Sequence, residues 1–150
     1  MEIGVVSLFI GQKLLTDTIS STTHNIYTIL GRPSFNMYSF DKIINQLDLT
    51  YKLKTIEAVL KEICNIEIDS DALKLTIESV HEMITYIHDD LHKIEKIILD
   101  HKNKWFAGYR SIDMESEVID LRLHTQLLDS RYDLLLKTLS ITRKKDICKK

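Results

Sequence analysis

Proline occurs once and glycine four times in this 150-residue chain. A fold of many β-strands needs turns at short intervals, and turns draw on these two residues. Their scarcity favours long helices over a fold of many strands. Cysteine is equally sparse. Cys64 and Cys148 are distant in sequence and form no CxxC pair. This argues against a disulfide scaffold and for free thiols in a reducing compartment. Cys148 is third from the end, which is not the position of a prenylated cysteine. A basic leader with a small-residue cleavage site is missing, so secretion is not expected. The apolar run Ile3–Ile10 stops at Gly11-Gln12-Lys13, too short to span a bilayer. The expected location is therefore intracellular, cytoplasmic or virion-associated, with no transmembrane helix.

A strong net charge is also lacking. The formal value is −2, which gives the whole molecule no steering field for nucleic acid or anionic membrane. The distribution is uneven. Residues 1–40 carry only Glu2, Lys13, Asp17 and Arg32, whereas residues 143–150 carry five cations against Asp146, a net of +4. Five cations grip phosphates weakly at physiological salt, and no aromatic interleaves them, so a nucleic-acid role is disfavoured.

What is present is periodic apolar content, at 44 % of residues, enough for one core at this length. We expect a single all-α domain over 1–150. It would comprise a charge-poor segment and aromatic loop (1–40), a helical bundle (41–142) and a basic tail (143–150). From about Asp71 to Lys104, Leu73, Ile77, Val80, Ile84, Ile87, Leu91, Ile94, Ile98 and His101 keep an unbroken 4-3 spacing. That spacing is the seam of a helix burying one stripe. Asp69, Ser70 and Asp71 supply N-cap chemistry before it. A second seam runs through Met114, Val118, Leu121, Thr125, Leu128, Tyr132, Leu135 and Leu139, with Ser111 and Asp113 as candidate caps. Two long helices joined by a short connector return antiparallel. The fold class is therefore a helical bundle dominated by an antiparallel hairpin, with shorter N-terminal helices. Leu75, Met83, Ile97, Leu127, Leu134 and Leu136 lie off both seams and widen the apolar stripe, so covering helices are expected.

The covers lie upstream. Leu53, Ile56, Leu60 and Ile63 predict a helix from about Thr50 to Cys64, and Asp41–Leu49 reads as a short helix or turn. Val5, Leu8, Gln12, Leu15, Ile19, Thr22, Ile26 and Ile29 form a weaker seam. Ser20-Ser21-Thr22-Thr23 are poor helix formers, so a break or frayed middle is expected there. Gly31 is placed to cap this helix and Pro33 to stop it.

No constellation points to catalysis. GxSxG and Gly-rich phosphate loops are absent. His88 and His92 share a helix face near Asp89 and Glu95. Two ligands do not close a metal site, so exposed histidines without metal are expected. His101, on the seam, reads as a core or end-of-bundle histidine. Asp129 and Asp133 beside Arg131 read as ordinary helix-surface pairing. No enzyme activity, cofactor or metal is therefore expected.

Contact chemistry is better represented. The connector Trp105-Phe106-Ala107-Gly108-Tyr109-Arg110 gathers residue types that dominate binding hot spots. Phe35, Tyr38 and Phe40 form a second aromatic loop. In residues 3–15 the apolar side chains lie all around a helix, so some must meet a partner, a membrane or another copy unless the first helix is wholly buried. Phe9 is the aromatic there. The candidate interaction residues are Phe9, Phe35, Tyr38, Trp105, Phe106, Tyr109 and Arg110.

Three stretches, IGQKLLTDTISSTTHNIYTILG, LHKIEKIILDHKNKWFAGYRSID and LHTQLLDSRYDLLLKTL, together resemble a family of small, uncharacterised helical proteins of the large nucleocytoplasmic DNA viruses. The matching positions are His101, Lys104, Trp105, Phe106, Tyr109, Arg110, Asp129, Arg131, Asp133 and Leu134. The resemblance implies no activity. It implies a viral accessory or particle component. The leading expectation is a non-enzymatic structural or protein-interaction protein, a minor virion or assembly component. Its contacts would run through the N-terminal segment and hairpin tip, to a protein partner or to a second copy. The alternatives are a peripheral membrane binder and a nucleic-acid accessory using the basic tail.

Overall fold

The computed structural model describes the backbone of residues 2–36, 40–65, 70–104 and 112–149, and their side chains apart from residues 2–12, 34, 36 and 146. Among these residues five α-helices follow one another: α1 (Glu2–Leu30), α2 (Phe40–Leu47), α3 (Leu49–Cys64), α4 (Asp71–Lys102) and α5 (Glu115–Cys148). A 3-10 turn, Pro33–Asn36, follows α1. The architecture is all-α, with no strand among the described residues.

Helix α4 is the axis of the molecule and packs against both α1 and α5. Every residue of its predicted seam, Leu73 through His101, is buried. Ser70 is its N-cap and accepts a hydrogen bond from the Leu73 backbone N–H at 3.2 Å. Helix α5 returns antiparallel. His124 meets Asp90 near the middle of α4, and Arg131 reaches back to Glu82 and to the Ser79 carbonyl. Leu121, Thr125, Leu128, Leu135 and Leu139 are buried along this contact, while Met114, Val118 and Tyr132 pack at its margin. The cap of α5 departs from expectation. Met114 occupies the N-cap position without a side-chain bond, and Asp113 accepts from the Glu115 N–H at 3.4 Å. Ser111 lies outside the described residues.

Helix α1 runs parallel to α4. Arg32 just past its end meets Glu95, and one turn earlier Asn25 and Thr28 line a cleft with His88 and His92. Helix α3 runs antiparallel to α1: Ser20 donates to Glu57, and the Cys64 thiol donates to Thr16 Oγ1. Lys52 ties α3 to α5 through Asp129 at 2.7 Å.

Two expectations need correction. First, α1 is continuous through Ser20–Thr23. Thr18, Thr22 and Thr28 donate their hydroxyls to the carbonyls four residues back, so they satisfy themselves within the helix. Burial of Ile19, Thr23 and Ile26 against the bundle then outweighs their poor propensity. The seam itself passes through Thr16 and Thr23, one position away from the expected Thr22. Gly31 ends the helix without a left-handed backbone. That conformation belongs instead to Asp48, φ 49° and ψ 35°, at the sharp α2–α3 junction.

The second correction concerns the stripe widened by off-seam residues. Met83 is buried and Ile97 half-buried, but Leu75, Leu127, Leu134 and Leu136 remain exposed. No described helix covers the outer side of α5.

Candidate interaction surfaces

Helix α5 carries two apolar seams. The buried one faces α4. The other follows the same 4-3 spacing on the opposite side: Leu123, Leu127, Ser130, Leu134, Lys137 and Ile141. Its leucines and isoleucine stand in water, with Leu123 48 % exposed, Leu127 38 %, Leu134 53 % and Ile141 57 %. Ile119 and Ile147 continue the exposed apolar surface towards either end. Single exposed leucines are ordinary, but a heptad-spaced row over about 30 Å of helix is the pattern of a contact face.

The charges on α5 are arranged around these seams. Arg131 and Asp129 do not pair within the helix as expected; each bridges to another helix, to Glu82 and Lys52 respectively. The Arg131 guanidinium holds the Glu82 carboxyl below its usual range. Asp90 is buried, and the loss of solvent pushes its carboxyl upward against the opposing pull of His124, whose Nδ1 lies 2.5 Å away. Tyr86 stacks on the His124 ring. These contacts fix how α5 rolls on α4, and so fix which seam is left outside.

A second, polar surface lies between α1 and α4. Asn25, Thr28, Ile29, Arg32, His88 and His92 line an open cleft. The rings of His88 and His92 are parallel, 6.4 Å apart. Glu95 is not a free ligand beside them. It is buried, and Arg32 binds both of its oxygens, at 2.6 and 2.7 Å. No group of three or more metal-ligating side chains occurs among the described residues.

The aromatic candidates divide. Phe35 is 1 % exposed and packs its ring against Phe40, 5.2 Å centre to centre, so it is a core residue and not a contact. The reason is local: the 3-10 turn after Pro33 folds Phe35 back under the end of the bundle. The Phe9 side chain, Tyr38, Trp105, Phe106, Tyr109 and Arg110 lie outside the described residues. The outer seam of α5 was missed as a site. Its signal was present in the spacing of Leu123, Leu127, Leu134 and Ile141, but that row looks the same whether a sixth helix or a partner covers it.

The register of the helices brings the start of α1 and the end of α5 to the same end of the bundle. Because α1 is parallel to α4 and α5 antiparallel, continuing each register brings the first two turns of α1 and the last turns of α5 past the start of α4. No helix among the described residues is long and apolar enough to cross a membrane.

Comparison with known proteins gives a likeness over part of the chain. The chain is similar to an uncharacterized protein of Acanthamoeba polyphaga mimivirus, 32 % identical over 71 residues, which are 47 % of this chain and 34 % of that protein. The match thus spans about a third of the length of that relative. No family model matches the chain. No solved structure matches it either.

Proposed function

We propose that this chain is a non-enzymatic structural or protein-interaction protein, a minor virion or assembly component of a large DNA virus. The observation that carries the reading is the outer seam of α5, a heptad-spaced apolar row left in water on a rigid helix. Fully burying a large apolar side chain is worth roughly 1.5–3 kcal/mol; these four are about half covered already, and covering the remainder still favours association. The likeness to a mimivirus protein supplies the viral context. The test is incorporation of the chain into gradient-purified particles during infection, compared with Leu127→Glu/Leu134→Glu. Enrichment of the wild type and its loss in the variant support the reading. Equal exclusion of both from particles and assembly intermediates ends it.

A second reading, peripheral binding to an anionic membrane surface, is favoured by the placement of the chain ends. Helix α1 begins with Ile3, Val5, Val6, Leu8, Phe9 and Ile10, and the cationic end of α5 extends past α4 in the same direction. An apolar helical segment and a cluster of cations at the same end of a bundle is the chemistry of an interfacial anchor. Co-sedimentation with phosphatidylserine vesicles, lost on Phe9→Asp, supports this reading; equal recovery with and without vesicles removes it.

A further inference from the structure

The outer seam has a charge pattern that selects its partner. Helix α5 is acidic at its start, with Glu115, Glu117 and Asp120 before the first cation, Arg122. It is basic at its end, with Arg143, Lys144, Lys145 and Lys149. Among the described residues, helix α4 forms ion pairs with α5 only midway, at Glu82 and Asp90. Neither charged end of α5 has an ion-pair partner among the described residues. Resting on the reading of this seam as a contact face, we infer that its occupant is the same seam of a second copy of this chain, paired antiparallel about a two-fold axis near Tyr132.

The register follows from the spacing. An antiparallel pair centred there sets Leu123 against Ile141 of the second copy, Ser130 against Leu134, and Leu127 against the aliphatic stem of Lys137. The same register sets Asp120 against Lys144 and Glu117 against Lys145, twice each by symmetry. Ile119 then meets Ile147. A parallel pair would instead place Glu117 and Asp120 beside their own copies and Lys144 and Lys145 beside theirs, which is unfavourable at both ends. The charge gradient therefore decides the direction, and the apolar row supplies the adhesion. The small Ser130 at the centre lets the two backbones approach.

The intact chain tests this by sedimentation equilibrium from roughly micromolar to millimolar concentration, the range in which modest self-affinities register. The wild type is expected to be a dimer that added salt weakens. Leu127→Glu/Leu134→Glu, at exposed positions, should keep its helical circular dichroism and cooperative unfolding while its dissociation constant rises at least about tenfold. Lys144→Glu/Lys145→Glu should weaken the dimer as well, and adding Glu117→Lys/Asp120→Lys should restore it. Direction is read by oxidation in a Cys64→Ser background. The register sets Cys148 opposite Ser116 of the second copy, so Ser116→Cys should yield disulfide-linked dimers, whereas Cys148 alone should not. A monomeric wild type throughout the series overturns the proposal, as does a dimer linked through Cys148 alone or one indifferent to the double glutamate variant. A monomer whose entry into particles still depends on Leu127 and Leu134 would end self-pairing and leave the contact reading standing.

Discussion

Helices α4 and α5 carry the same 4-3 apolar repeat over nearly equal lengths, yet the bundle treats them differently. Helix α4 is enclosed, with α1 on one side and α5 on another, and even Asp90 and Glu95 are drawn inside, each met by a partner. Among the described residues, helix α5 is enclosed on one side only, and a second leucine row faces outward. The difference teaches that a heptad seam specifies burial but not by what. On α4 the partners come from the same chain; on α5 no helix among the described residues covers the second apolar row.

The sharpest test of this contrast is a pair of leucine truncations. Leu91 on α4 is fully buried. Leu91→Ala should cost about 2–5 kcal/mol in denaturant unfolding. Leu134→Ala on the outer seam should change the stability of the dilute protein by no more than about 0.5 kcal/mol. Similar losses at both would mean that the outer row is core.

Next in size is the clamp that lets α4 bury a carboxylate. Arg32→Ala would leave Glu95 buried without its cation, and with Arg32 half-exposed the loss should be about 1–3 kcal/mol. Adding Glu95→Gln to that variant should recover much of it. Failure of the second substitution to help would show that Arg32 acts by packing alone.

Thr23 sharpens the comparison from the other direction. Its hydroxyl is buried in the α1 seam with no hydrogen-bond partner among the described residues. Thr23→Val keeps the shape, removes the unsatisfied group and should raise stability by about 1 kcal/mol. A loss of stability would mean that the hydroxyl has a bound water.

The smallest effect is a pH dependence at the α4–α5 contact. Burial raises the Asp90 carboxyl above its ordinary value. Its protonated form therefore favours the fold, fully below the ordinary carboxylate range, and this contribution is lost as pH rises through the raised value. Asp90→Asn should thus gain on the wild type as pH climbs from about 4 towards neutrality. The opposite slope in paired thermal melts would show that attraction to His124 outweighs burial.

Most of the helix plan was legible from apolar spacing. The 4-3 rows of Leu73–His101 and Leu121–Leu139 report a local periodicity that any burial must obey, so element type, approximate ends and inward faces followed from them. The Ser70 cap and the stop at Pro33 are also local. The continuity of α1 through Ser20–Thr23 was not legible, because weak propensity there is overruled by contacts with residues from distant parts of the chain. The interhelical choice of Arg131 for Glu82 and the burial of Glu95 beneath Arg32 share that origin. The sequence by itself determined that the chain is helical and that α4 and α5 each need apolar company. Only the tertiary structure decided which leucines stay outside, because a repeat encodes a face, while the number of helices available to cover that face is a property of the packed whole.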